Sequence, residues 1–494
     1  MTEVKGIDFD KLDEHTRGRI KPWQRILESN NKIFVANAKI AIGNILADKG
    51  YKREALKYWR SVSKEDNKNL FEISHFYIGN FLLKNNGEQY IEKDIQEAKR
   101  CFSTVKSKFG FEVKNNIFIC DMLLSESTRE IGKEILRISY RVYRTLLLLK
   151  VDINSVGRRQ FYAERKLAHY TSVDTVNLLL NVDKNEGLPS AFRLNTINNV
   201  NDPSEGHLLE RYLTDNDKNL FNKLDSNDRY HAFIGCFSFN HDSLNQFRLY
   251  GKKDNKEASG ISLVFTKGFF KESENPDGLS FISTKDDEIS IQKGTYDRDE
   301  IVKNEPVAIP SQSVMRCVYV DPESGFISLA QRNKITFYRE YFKEDESKSK
   351  ADNAWKEYQK IINNKSEKFE NEFSGLKSIY QDIIQDVSGM DSKVQSKVRQ
   401  LLDDILLPLR YLIKHTAFQE EQECRMIYIT SLEDPKVQMS FGKFLYVDYE
   451  PAVKLNLDKI YIAPAATQYQ PYLAKLLCDT NVKIELSNNP YRQT

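Results

Sequence analysis

The chain has 494 residues, more than one ordinary domain needs, and its 40% hydrophobic and 29% charged content excludes a disordered polymer, which lacks the apolar material for a core. Lysine and arginine number 73 against 71 aspartate and glutamate, a formal net charge of +2, so no global charge points to nucleic acid or to a polybasic membrane protein. An uncharged apolar run such as Leu146 to Leu149 is far too short to span a bilayer, and no membrane association is expected.

The opening residues, Met1 to Lys11, carry Glu3, Asp8 and Asp10 with no apolar core behind a positive start, so no secretory signal is expected there. From about Lys21 to Lys150 apolar residues recur every three or four positions, the helical period. Within this stretch Ile42-Gly43-Asn44-Ile45-Leu46 and Ile78-Gly79-Asn80-Phe81-Leu82 lie 36 residues apart (79 − 43). Their continuations also correspond, Ala55-Leu56-Lys57-Tyr58-Trp59 matching Ala98-Lys99-Arg100-Cys101-Phe102. A small residue lets two antiparallel helices approach, and a large ring fills the groove to the next pair. Gly43, Gly50, Tyr51, Ala55 and Trp59 fall where a tetratricopeptide repeat places its small and aromatic residues. Residues 1–155 therefore resemble a short tetratricopeptide-like array, with a third helix pair over Asn115 to Lys150 that lacks the motif. An irregular helical bundle is the plainer alternative. The resemblance implies a surface for a protein or peptide partner.

After Asp152-Ile153-Asn154-Ser155-Val156-Gly157 the texture changes to short β-prone runs separated by Asn, Asp, Gly and Pro clusters. Strands are expected over Leu167 to Tyr170, Phe192 to Asn195, His231 to Phe239, Gly260 to Phe265, Ser313 to Tyr319, Cys424 to Thr430 and Lys459 to Ala463, with a helix from Val173 to Asn181. Between about 345 and 415 long helices return, with Trp355, Ile362, Phe369, Leu376 and Ile383 at heptad spacing and stop signals at Ser388-Gly389 and Pro408. The expected class is α+β: a helical repeat domain at 1–155 and a mixed domain at 156–494 with a helical insertion at about 345–415. The apolar residues of those helices suit either internal packing or a homo-oligomer.

Six cysteines, none in a CxxC pair, fit buried thiols in a reducing compartment, so a cytoplasmic protein is expected. Cys424, beside an acidic pair, is the thiol to test for reactivity. None of the seven histidines lies in HExxH or beside close cysteines, so no metal site is expected.

Four polar clusters stand at expected strand ends or turns. In Ala168-His169-Tyr170-Thr171-Ser172, Thr171 or Ser172 can cap the next helix, leaving His169 and Tyr170 at a strand end. The run Asn201-Asp202-Pro203-Ser204-Glu205 reads as a turn in which Ser204 or Asp202 can cap a helix through Leu208, Leu209 and Tyr212. Ser238 ends a strand, and Arg248-Leu249-Tyr250-Gly251 leads to the strand Gly260 to Phe265, with Tyr250 able to stack on a flat ring. The fourth cluster, Lys414 to Tyr428, contains Glu421 and Glu423, which share a face if the strand begins early, and Arg425 as their natural counter-ion. Each has a purely structural explanation: a satisfied core histidine, a turn, a helix cap, an ion pair closing a strand edge.

Taken in order, these marks are similar to a large bacterial family of domains of unknown function, over about residues 160 to 490. A further resemblance is to ADP-ribosyltransferases, which gather residues from three strands around NAD. That resemblance implies His169, with Tyr170 and Thr171, on the adenosine-side ribose, and Ser238 or Tyr250 as the second element, Tyr250 stacking on nicotinamide. It implies Glu423 as the catalytic glutamate with Glu421 upstream in a Glu-x-Glu pair. Arg248 or Arg425 would take the pyrophosphate, since guanidinium forks match phosphate geometry, and Asn201 and Asp202 would line the same cleft. Phe237-Ser238-Phe239 departs from the Ser-Thr-Ser form of that family.

The expected function is thus an effector that uses NAD, as an ADP-ribosyl transferase or a hydrolase, under a helical sensor. Its acceptor would be a protein or a nucleic acid, and its setting antiphage defence or toxin action, the last by analogy. The alternatives are a noncatalytic nucleotide- or peptide-binding module and a metal-dependent nuclease using Asp202, Glu205, Asp242, Glu421 and Glu423.

Overall fold

The computed structural model of the chain describes residues 12–85, 90–105, 110–151, 164, 166–181, 189–197, 206–215, 230–252, 256–270, 308–309, 312–342 and 348–491. It is of the α+β class and divides into two compact units. Of the described residues, those of 12–140 and 382–403 form the first, and those of 141–381 and 404–491 the second. Among the described residues no helix is long and apolar enough to cross a membrane.

The first seven helices are α1 (Glu14–Leu27), α2 (Lys32–Asp48), α3 (Lys52–Arg60), α4 (Lys68–Asn85), α5 (Glu92–Thr104), α6 (Gly110–Leu124) and α7 (Arg129–Leu149). Asp13 opens α1 by accepting from the Thr16 amide at 2.9 Å, and Asn31 opens α2 by accepting from Ile33 at 3.0 Å. Each satisfies a donor that a first helical turn leaves unpaired. Gly43 on α2 lies under the Trp59 ring of α3, and Gly79 on α4 lies under the Phe102 ring of α5; a Cβ at either glycine would overlap the ring. The period continues through asparagine. Asn44, Asn80 and Asn116 stand 36 residues apart (80 − 44 and 116 − 80) on α2, α4 and α6. Trp59 donates its indole N–H to Asn44 Oδ1 at 3.1 Å, and Asn116 donates to Asn80 Oδ1 at 2.8 Å. The third helix pair, which lacks the glycine motif, thus keeps the register through its amide.

The chain continues through β1 (Leu167–Thr171), α8 (Val173–Leu180), β2 (Phe192–Thr196), α9 (Leu208–Leu213), β3 (His231–Ser238), α10 (Leu244–Leu249), β4 (Ile261–Phe265), β5 (Val314–Arg316), β6 (Val318–Val320) and β7 (Ile327–Leu329). Then come α11 (Lys334–Phe342), α12 (Lys348–Val387), α13 (Ser392–Arg410), β8 (Ile413–His415), β9 (Glu423–Thr430), β10 (Val437–Ser440), β11 (Phe444–Tyr449), β12 (Leu457–Ile462), α14 (Gln470–Leu476) and β13 (Lys483–Leu486). The heptad row Trp355, Ile362, Phe369, Leu376 and Ile383 is buried along α12. Pro408, expected as a stop, lies inside the last turn of α13, which ends two residues later at Arg410. Burial of Leu406, Leu407 and Leu409 holds that turn despite the missing N–H.

Among the described residues the large sheet has ten strands, in the order β10-β11-β2-β3-β1-β4-β12-β13, with β9 on β3 and β5 on β9. A second sheet has the order β7-β6-β8. The single strand expected over Ser313 to Tyr319 is therefore two. β5 pairs with β9, whereas β6 leaves for the small sheet, and Cys317 at the junction donates its amide to Glu423 O at 2.9 Å. One face of the large sheet packs an aromatic core in which Phe192, Phe237, Phe265 and Phe269 meet at centroid distances of 4.0 to 6.2 Å.

Candidate functional site

The opposite face carries the polar groups. β3 and β9 are antiparallel, with Ser238 opposite Glu423 and Cys236 opposite Arg425, and directly opposed side chains share a face. Ala168 lies opposite Ser238, and Tyr170 lies opposite Ser262 on β4, so Tyr170 belongs to this same face. His169 and Thr171, one residue either side, point away from it.

The two carboxylates meet by a device that strand alternation does not supply. β9 begins only at Glu423, while Glu421 ends the 3₁₀ turn Thr416–Glu421. Between them Gln422 is left-handed, φ 47° and ψ 51°, a conformation that L-residues other than Asn and Asp seldom adopt. Its side chain holds the turn: Nε2 donates to Gln419 O at 2.6 Å, and Oε1 accepts from the Gln331 amide at 2.7 Å. The Gln422 carbonyl accepts from Phe239 N at 3.0 Å.

Both acids then reach one ammonium. Lys414 Nζ lies 2.5 Å from Glu421 Oε2 and 2.6 Å from Glu423 Oε2. Arg425 grips Glu423 through Nε at 2.7 Å and Nη2 at 3.1 Å, and gives Nη1 to the Tyr411 carbonyl at 2.8 Å. The Glu423 amide donates to Tyr319 Oη at 2.8 Å. The Tyr250 hydroxyl donates to Glu421 Oε1 at 3.1 Å, and Ser238 Oγ donates to the Glu421 carbonyl at 2.6 Å. Lys414, Glu421, Glu423 and Arg425 are each no more than 6% exposed, while Tyr250 is half-buried.

Environment pushes the two acids apart. Burial disfavours the charged form of Glu423, but Arg425 and then Lys414 outweigh it and hold that carboxyl well below the usual range. Glu421 moves the other way: burial, joined by repulsion from Glu423, raises it in spite of Lys414. Burial would lower the Lys414 ammonium, yet Glu423 and Glu421 together raise it. Tyr250 is raised by burial and by both glutamates. One acid is therefore firmly ionised and its neighbour is the better proton acceptor, the pattern of an acid–base pair.

The remaining expected residues are placed as follows. His169 packs edge-on to Phe192 at 5.0 Å, its Nδ1 is 2.8 Å from the Cys236 carbonyl, and burial lowers its pKa; it is part of the aromatic core and does not join the carboxylates. Thr171 sits at the end of β1, where its carbonyl packs against Gly251 and Gly260. Tyr170 donates to the Asn240 carbonyl at 2.7 Å and accepts from Ser243 N at 3.0 Å, which latches the loop after β3. Arg248 is half-exposed and paired with Glu257 at 2.8 Å, so it does not reach the cluster. Asn201, Asp202 and Glu205 lie outside the described residues. Asp242 accepts from Ser487 at 2.6 Å, Asn489 at 2.8 Å and Arg339 at 3.1 Å, so its oxygens are already engaged. Among the described residues no group of three or more His, Cys, Asp or Glu is arranged to hold a metal ion. Cys424 is fully buried and burial drives its thiol far above the usual value, the opposite of a reactive cysteine.

Lys414 and Tyr319 are the residues that sequence reasoning missed. The small sheet delivers both, since β6 and β8 pair in parallel with Tyr319 beside Lys414. A lysine seven residues before one acid and nine before the other carries no periodic signal. A second buried network behind β9 was missed too: Arg316 pairs with Glu164, whose Oε1 accepts from Tyr358 at 2.8 Å.

Comparison with known proteins adds no relative: no family model, no curated protein and no solved structure matches the chain.

Proposed function

We propose that the chain is an NAD-consuming effector that breaks the bond between nicotinamide and ribose, passing the ADP-ribosyl group to an acceptor or to water. The observation that carries this reading is the pair Glu421 and Glu423 on one ammonium, with ionisation pushed apart and a half-buried tyrosine against Glu421. Loss of nicotinamide leaves positive charge on the ribose, which fixed carboxylates in a dry site stabilise.

The residues divide the work. Glu423 has both oxygens held by Arg425 and Lys414, so it contributes fixed negative charge. Glu421 meets the ligand, because its Oε1 partner, Tyr250, is the half-buried member of the group. With its raised pKa, Glu421 takes the proton of the incoming acceptor. Tyr250 offers its ring as a stacking surface and its hydroxyl as the Glu421 partner. Arg248 and Arg425 are occupied by Glu257 and Glu423, so in this reading the pyrophosphate is held by other groups.

The helical first unit completes the proposal. Its repeated packing, Gly43 under Trp59 and Gly79, 36 residues on, under Phe102, supports a tetratricopeptide-like sensor that binds a protein or peptide and controls the effector. Defence against phage or action as a toxin in the cytoplasm is the setting that this architecture suggests by analogy.

A second reading has its own observation. Ser238 Oγ, Glu423 and Arg425 are saturated by internal partners, as in a rigid noncatalytic pocket. Incubation of the purified protein with labelled NAD and a cell lysate, following free nicotinamide and label on macromolecules, separates the two. Nicotinamide release that disappears in Glu421→Gln supports the enzyme. Retention of NAD without release, lost in Tyr250→Ala, supports the pocket.

A further inference from the structure

Lys414 enters the site from outside the large sheet. β8 lies in the three-stranded sheet, in parallel register with β6, and from there the lysine inserts its ammonium between Glu423 of the large sheet and Glu421 at the end of the 3₁₀ turn before it. Arg425 already meets Glu423 with two hydrogen bonds. Glu421 has no arginine of its own in that arrangement. Its oxygens are reached by Tyr250 on one side and Lys414 on the other.

The geometry points to Lys414 as the positioning residue of this site, fixing the Glu421 carboxylate against Glu423 so that its Tyr250 side faces a ligand. The inference rests on the reading of Glu421 as the reacting carboxylate. Its physical basis is that two like charges move apart unless a cation lies between them, and a buried ammonium with three donors can bridge two acids at once. The main chain at Glu421 is anchored independently, by Ser238 Oγ on its carbonyl at 2.6 Å and by the clamped Gln422 turn. Loss of the ammonium therefore frees the side chain of Glu421 without releasing its backbone. Among the described residues, the titratable and charged groups that face Lys414 or its two acids include Glu421, Glu423, Arg425, Tyr319, Cys317, Cys236 and Tyr250.

The test uses the full chain as wild type, Lys414→Met and Lys414→Arg, with carbon-13 in the glutamate carboxyl groups. Two readouts are followed: the carboxyl titrations of Glu421 and Glu423, and the pH profile of nicotinamide release from NAD. In Lys414→Met the Glu421 titration is expected to move upward and kcat to fall by about tenfold or more with KM little changed. Lys414→Arg, which keeps the charge, restores most of both. A folded Lys414→Met with the wild-type Glu421 titration overturns the proposal, whatever the activity. Wild type that releases no nicotinamide overturns the NAD reading alone, and Lys414 is then judged on the titrations. Should Lys414→Met fail to fold, Lys414→Arg decides: an unperturbed fold in which Glu421 titrates as in wild type supports positioning by charge, and a Glu421 titration that ranges freely overturns it.

Discussion

Glu421 and Glu423 share the ammonium of Lys414 although only Glu423 belongs to a strand, because the residue between them, Gln422, turns the chain left-handed. That turn is maintained by side-chain hydrogen bonds to Gln419 and Gln331. Gln422→Ala removes both bonds while keeping the disfavoured backbone, a loss of about 1–3 kcal/mol at 0.5–1.5 kcal/mol each. Gln422→Gly loses the same bonds but adopts the left-handed conformation freely. Urea unfolding is expected to rank the glycine variant above the alanine variant. The reverse order would show that the backbone conformation is not what limits this position.

Removing one charge from the buried network is costlier than removing an exposed one. Glu423→Gln leaves Arg425 and Lys414 without their shared anion at 1% and 3% exposure, and loss of one partner from a buried ion pair costs about 3–5 kcal/mol. Glu257→Gln, at the exposed pair with Arg248, should change stability far less, because solvent screens that pair. Equal effects would contradict the burial argument.

The acids also have opposite signs in pH dependence. The folded Glu423 carboxyl lies below its unfolded value, since Arg425 and Lys414 outweigh burial. Its stabilisation is complete above about pH 4.3, the ordinary glutamate value, and is lost as pH falls toward the folded value. Glu421 is raised in the folded state by burial and by Glu423; its favourable contribution is present at low pH and declines as pH rises through the folded value. Stability measured from acid to neutral pH should therefore fall less steeply below about pH 4.3 in Glu423→Gln than in wild type. In Glu421→Gln the gain relative to wild type should grow as pH rises. Parallel curves for all three proteins would remove the coupling.

Glycine substitutions probe the helical unit with opposite signs. A Cβ at Gly43 runs into the Trp59 ring, whereas Gly18 on α1 has nothing within 4 Å. Gly43→Ala is expected to destabilise by about 1–3 kcal/mol through overpacking, and Gly18→Ala to stabilise by about 0.5–1 kcal/mol through helix propensity. Thermal unfolding checks both.

The helical front, the heptad row and six of the seven expected strands are legible in the sequence because each is written in local periodicity. Gly43 and Gly79 announce each other by their 36-residue spacing (79 − 43). The site is legible in part: Tyr250, Ser238, Glu421, Glu423 and Arg425 do converge. His169 does not, because neighbours on a strand face opposite ways, and Tyr170 took the polar face. Arg248 found a closer acid in Glu257. Lys414 was hidden because its strand has three residues and pairs with another of three, too short for any pattern to register. The splitting of Ser313 to Tyr319 between two sheets is a tertiary event with no local signature.

The most direct measurement is nicotinamide released from NAD by purified wild type and by Glu421→Gln, the latter first shown to be folded. The account predicts release by wild type that falls by about a hundredfold or more in the variant, the scale of a lost general base. Equal release from the two proteins would contradict the assignment of Glu421, and no release from either, with partners of the helical unit supplied, would contradict the NAD reading itself.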